Sequence, residues 1–305
     1  RKKTLMYRDF SELTDRLQKQ ERIKKVAVAS AQDQHALEAV LQARRDRIVE
    51  PVLVGDRDKI LALLEQLGED SEEFQIFHAD SDAAAAATAV RLIREGEADF
   101  LMKGKLQTAD LLRAVVDKDS GLRTGSVMSH MAIHQIPGYH KLLAVTDGGM
   151  LLYPNLDEKK KLIENAGGVF RNLGYETPKV AVLTAVETLN PKMPETVDAD
   201  ALKKMNQSGE LSGCIVEGPI SYDLTMSKES AEIKGFQSPV TGDADILVVP
   251  DIAAGNILVK ALVYSAGSRM AGIIVGAKVP IVLTSRGASA EEKYLSLVLS
   301  AASVK

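Results

Sequence analysis

The residues most able to do chemistry lie near the C-terminus, in Thr284-Ser285-Arg286-Gly287. They follow a short apolar run, Ile281-Val282-Leu283, and precede a helix expected to start at Ala290. Ser285 supplies a hydroxyl. Arg286 supplies a planar fork of five donors that suits phosphate. Gly287 lets backbone approach a ligand closely, and a helix N-terminus favours an anion. The pattern points to a phosphate pocket, although an ordinary turn with a surface arginine has the same letters. Two acids follow. Glu291 and Glu292 are candidates for a general base, and both have structural reasons to be there. Ser289-x-x-Glu292 is a capping box, and a first-turn acid such as Glu291 complements the helix dipole.

A second loop of the same kind reads Lys103-Gly104-Lys105-Leu106-Gln107-Thr108. Two lysines flank a glycine, and a helix is expected to start near Thr108. Arg113 lies on that helix, facing either the same pocket or solvent. The spacing of a Walker A loop is absent, so nucleoside triphosphate hydrolysis is a poor reading. Pro250-Asp251-x-x-Ala254-Gly255-Asn256 forms a third loop, where Asp251 or Asn256 caps a helix or Asn256 reaches a ligand. Ser129-His130 follows a strand-like run and offers a positioned imidazole. His130 and His134 are four apart, but no H-E-x-x-H accompanies them, so no metal is expected. There is no G-x-S-x-G elbow and no G-x-G-x-x-G dinucleotide fingerprint.

These loops need a scaffold that presents strand ends. Short β-branched runs at residues 26–29, 52–55, 74–77 and 99–102 alternate with amphipathic stretches at 10–17, 36–41, 57–67 and 83–94. The second half repeats the style, with strands expected at 142–146, 180–183, 214–216, 246–249, 273–275 and 280–284. Helices are expected at 157–173 and 255–266. The alternation predicts βαβ units and a largely parallel sheet. Apolar runs without polar alternation fit strands covered on both faces. Ligands collect at the carboxyl ends of such strands. The expectation is two α/β domains with an interdomain cleft: residues 1–134 plus 280–305, and residues 135–279.

Composition sets outer limits. The chain has 305 residues, 45% hydrophobic and 26% charged, with a formal charge of -4. That charge argues against nucleic acid as the main partner. One cysteine, Cys214, cannot form an internal disulfide, which fits a reducing, cytoplasmic compartment. Its apolar surroundings read as a structural thiol. No apolar run approaches the ~20 residues a membrane span needs. The basic start, Arg1-Lys2-Lys3, lacks the apolar region of a signal peptide.

Taken in order, the motifs resemble the phosphate acetyl/butyryl-transferase family, and its butyryl branch above all. The resemblance rests on Leu101-Met102-Lys103-Gly104, Thr108-Ala109-Asp110, Gly121-Leu122-Arg123-Thr124-Gly125 and Ser129-His130. Further on it rests on Asn190-Pro191-Lys192-Met193, Glu217-Gly218-Pro219, the stretch from Gly242 through Asp251 to Asn256, and Gly276 through Arg286. It runs from about residue 99 to the end. It implies acyl-CoA plus phosphate giving acyl phosphate plus CoA, with coenzyme A as a substrate, no metal and no acyl-enzyme. It also implies a fold like that of isocitrate and isopropylmalate dehydrogenases, and a homodimer or higher homo-oligomer. On this reading Ser285 stabilises the tetrahedral transition state, while Arg286 and Arg113 hold the phosphoryl group. Lys103, Gly104, Thr108, Ser129, His130 and Asn256 line the substrate site. The chain departs from the pattern at Glu292, where the acetyl branch has Asp, and at Ala288, where the butyryl branch usually has Asp. The alternatives are a metal-dependent dehydrogenase of the same fold and a non-catalytic CoA-binding regulatory protein.

Overall fold

The computed structural model describes residues 5–285 and 287–305. The chain forms two compact α/β units. An outer unit comprises Phe10–Ser126 and Ala271–Lys305, and an inserted unit comprises Val127–Met270 with the segment ending at Asp9.

The outer unit begins with α1 (Phe10–Gln18), β1 (Lys24–Ala29), α2 (Gln34–Arg45), β2 (Val49–Gly55) and α3 (Arg57–Gln66). It continues with β3 (Gln75–His78), α4 (Asp82–Arg94), β4 (Phe100–Lys103) and α5 (Thr108–Val116). Strands β1, β2, β3 and β4 pair in parallel, and the runs Val26–Ala29 of β1 and Phe100–Met102 of β4 are buried, as their unalternating apolar sequences require.

The inserted unit runs β5 (Ser129–Gln135), β6 (Leu143–Thr146), α6 (Leu156–Asn172), β7 (Lys179–Leu183), α7 (Pro194–Ser208) and β8 (Ile215–Ile220). It ends with α8 (Tyr222–Met226), α9 (Lys228–Lys234), β9 (Ile246–Val248) and α10 (Ile252–Ala266). Its strands are ordered β5-β6-β9-β7-β8. The chain then returns through β10 (Arg269–Val275), β11 (Ile281–Val282) and α11 (Ala290–Ser303). The outer order is β3-β2-β1-β4-β11-β10.

Three differences from the sequence expectation have physical causes. The units divide at 126/127 and 270/271, not at 134/135 and 279/280. β5 pairs antiparallel with β6 (Ala132↔Val145), which ties residues 129–135 to the inserted unit. The segment ending at Asp9 joins it through the Tyr7 amide, which donates to Tyr175 Oη at 3.0 Å. Ser129 and His130 do not follow a strand; they open one. Helices α7, α8 and α9 were not anticipated, because their stripes are short or polar: only Thr196, Ala199 and Leu202 of α7 are buried.

Candidate functional site

Register brings the two C-terminal-edge loops of the outer unit together. β11 pairs in parallel with β4, Ile281 opposite Leu101 and Val282 opposite Met102. The chain therefore leaves the sheet at Thr284-Ser285 beside Lys103-Gly104. A cavity of about 680 Å³ opens there, lined among others by Lys103, Gly104, Thr108, Thr284, Ser285 and Lys293.

Gly104 makes this corner possible. Its amide donates to the Ala29 carbonyl at 2.8 Å, and the Lys105 amide donates to the Ser30 carbonyl at 2.8 Å. A Cβ on Gly104 would stand 2.1 Å from the Ser30 carbonyl oxygen. Ser30 itself adopts φ +57°, a left-handed conformation costly for a non-glycine residue. Its hydroxyl donates to Asp82 Oδ1 at 2.8 Å.

Four helices begin around this sheet edge, and their first turns are capped differently. Asp33 caps α2, Ser81 caps α4 and Ser289 caps α11, each accepting a backbone N–H. The residue before α5, Gln107, makes no such bond. Among the described residues the Thr108 and Ala109 N–H groups of α5 therefore have neither an intrahelical partner nor a side-chain cap, whereas those of Asp110 and Leu111 donate to the Gln107 carbonyl. Gln107 and Thr108 line the cavity, so these donors and the helix dipole favour an anion there.

The acids after Ser285 separate. Glu291 is exposed. Glu292 is half-buried, and burial pushes its carboxyl up, against the opposing pull of Lys293. Ser289 Oγ accepts from the Glu292 amide at 3.1 Å, but among the described residues the Glu292 carboxylate makes no hydrogen bond or ion pair. Neither acid lines the cavity, whereas Lys293 beside them does. Arg113 lies elsewhere. Its side chain is 74% exposed, paired with Asp110 at 3.0 Å, and not among the cavity's lining residues. Arg286 lies outside the described residues.

The remaining expected residues cluster within the inserted unit. Asp147 is buried and accepts from the amides of His130, Gly149, Met150 and Leu151 at 2.8–3.1 Å. The His130 ring packs on Gly149, where a Cβ would come within 3.0 Å of Cγ. Burial pushes the His130 imidazole down, Asp147 opposing, and its Nδ1 is buried with no partner among the described residues. Asn256 is exposed, and its Nδ2 donates to the Gly148 carbonyl at 3.3 Å. Asp251, not Asn256, caps α10. Ser129 is fully buried and accepts from Asn165 Nδ2 at 3.0 Å, which is a structural link.

His134 is buried, bonded through Nδ1 to Ser268 Oγ at 2.8 Å, and held down to about 4 by burial and by His130. On a strand, positions i and i+4 stand roughly 13 Å apart, too far to share a metal. Among the described residues, no group of three or more His, Cys, Asp or Glu side chains is placed to hold a metal ion.

Sequence reasoning missed Lys293, Ser30 and Asp82. Only Lys293 had a legible signal, since a basic residue in the first turn of the helix after Ser285 opposes the dipole rule.

Comparison with known proteins adds an independent line. A family model described as phosphate acetyl/butaryl transferase matches residues 78–301. The chain is 48% identical over 278 residues to a phosphate acetyltransferase of Thermotoga maritima, covering 91% of this chain and 94% of that one. It is 43% identical to a phosphate butyryltransferase of Clostridium acetobutylicum, over 97% and 98% of the two chains. Among solved structures, a branched-chain phosphotransacylase from Enterococcus faecalis superposes with a TM-score of 0.82 at 33% identity, covering 92% of this chain and 99% of that one. A 4-hydroxythreonine-4-phosphate dehydrogenase from Burkholderia phymatum superposes with a TM-score of 0.58 at 16% identity, over 93% and 99%. That last likeness is one of fold alone.

Proposed function

The chain belongs to the phosphate acetyl/butyryl-transferase family, and on that premise we propose that it exchanges a butyryl or branched-chain acyl group between coenzyme A and inorganic phosphate. The observation that carries the site assignment is the cavity where Ser285, Lys103, Lys293 and the uncapped start of α5 converge.

The chemistry follows from those groups. A phosphate oxygen attacks the thioester carbonyl carbon, the carbonyl oxygen becomes an oxyanion, and collapse of the tetrahedral intermediate expels the CoA thiolate. The Ser285 hydroxyl donates to the oxyanion, where a preorganised donor contributes most. The α5 amides and the lysines hold the phosphate dianion. In the reverse direction a base takes the thiol proton as sulfur attacks the acyl phosphate. Glu292 is our choice over Glu291. It is the half-buried acid, and its carboxylate is not consumed by the capping box.

The relatives named as acetyl- and butyryltransferases, 48% and 43% identical over most of the chain, speak against a non-catalytic CoA-binding role, and the dehydrogenase reading has only fold likeness behind it. A homo-oligomer is supported by α10. Of its fifteen residues only Gly255 and Leu262 are buried, while Ile257 and Tyr264, seven apart on one face, are 68% and 85% exposed. Sedimentation of the purified protein as a monomer at micromolar concentration overturns this. Among the described residues no helix is long and apolar enough to cross a membrane. The single buried thiol suits a cytoplasmic setting.

Activity is tested by free-thiol release from acyl-CoA substrates of two to five carbons. Release is expected only with phosphate present, fastest with butyryl or branched chains. Absence of phosphate-dependent release with every chain sinks the reading; a preference for acetyl-CoA sinks the choice of chain.

A further inference from the structure

We propose that Lys293 binds the attacking phosphate and holds the Ser285 turn against it, a role that rests on the acyl-transfer reading above. Lys293 stands in the first turn of α11 and lines the same cavity as Lys103, Thr108 and Ser285. Its ammonium donates to the Ala288 carbonyl at 2.9 Å. The Ala288 amide in turn donates to the Ser285 carbonyl at 3.0 Å. Lys293 thus ties down the turn that presents Ser285.

One bond leaves two of the three ammonium donors unused. Among the described residues Lys293 has no ion pair, although most lysines that are half-buried here have one: Lys160 with Glu210, Lys179 with Asp243, Lys203 with Glu217. Its acidic neighbours on the cavity wall are occupied elsewhere. Asp33 accepts the Ala36 amide, and Asp82 accepts the Ser30 hydroxyl. Glu292, adjacent in sequence, feels the Lys293 charge without pairing to it. A half-buried cation that faces a cavity without a counter-ion is poised for an anionic ligand. The anion that the reaction brings to Ser285 is phosphate.

The test compares wild type with Lys293→Met and Lys293→Arg. It measures the KM for phosphate, the KM for acyl-CoA, and the rise in melting temperature on adding inorganic phosphate. For Lys293→Met the phosphate KM should rise about 10- to 100-fold, the loss of one charge-assisted hydrogen bond. The acyl-CoA KM should stay unchanged, and phosphate should stabilise the variant less. Lys293→Arg should recover part of both effects. An unchanged phosphate KM, an equal rise in both KM values, or arginine no better than methionine would overturn the proposal. If wild type shows no phosphate-dependent thiol release, the acyl-transfer reading fails instead. The phosphate-induced melting shift still reads Lys293 in that case.

Discussion

Ser289 and Glu292 make half of a capping box: the hydroxyl of one accepts the amide of the other at 3.1 Å, and the carboxylate does not return the bond. The acid is therefore left half-buried with its carboxyl raised. α6 shows the complete arrangement, where Asn155 and Glu158 satisfy one another in both directions. The difference separates an acid whose carboxylate serves its helix from one whose carboxylate does not.

Glu292→Gln should lower turnover in the thiol-consuming direction by about 10²- to 10⁴-fold, the range for a lost general base. It should also change the pH dependence of stability. A carboxyl raised by burial binds its proton more tightly when folded than when unfolded, so ionisation weakens the fold as pH rises through and above the ordinary carboxylate range. Melting curves at several pH values should show the glutamine variant losing less stability over that range. An identical pH profile for both proteins counts against the buried carboxyl.

Gly104→Ala probes the corner between β1 and β4. The new methyl meets backbone oxygens, at 2.1 Å from Ser30 and 2.8 Å from Ala29, so no side chain can move aside. Overpacking of this kind costs about 1–3 kcal/mol or more. Urea denaturation should show that loss, and any folded protein should use phosphate poorly. Wild-type stability would mean the corner yields freely.

Arg286→Ala should weaken phosphate use by roughly 2–4 kcal/mol, the range for a charge-assisted contact whose partner is left unpaired. Arg113→Ala should have a much smaller effect, because that side chain is exposed and already paired with Asp110. Phosphate kinetics of the two variants decide the matter. A larger loss at Arg113 would reverse the assignment.

Local chemistry was readable from the chain itself. Apolar runs such as Val26-Ala27-Val28-Ala29 marked buried parallel strands, and Asp33 and Ser289 marked helix starts, because propensity and capping act over a few residues. The ordered loops also pointed to the family. Long-range pairing decided the rest. The register of β11 on β4 put Ser285 beside Lys103 across some 180 residues of sequence, and nothing near either residue encodes that. β5, whose pairing with β6 makes it a strand, tied Ser129 and His130 to the inserted unit, although the sequence divided the units at residue 134. Burial lifted Glu292 away from its ordinary acidity and left Glu291 in water, although the two stand side by side in the sequence. The surroundings of a charge are set by what packs on it from elsewhere, and only the folded chain brings those groups together.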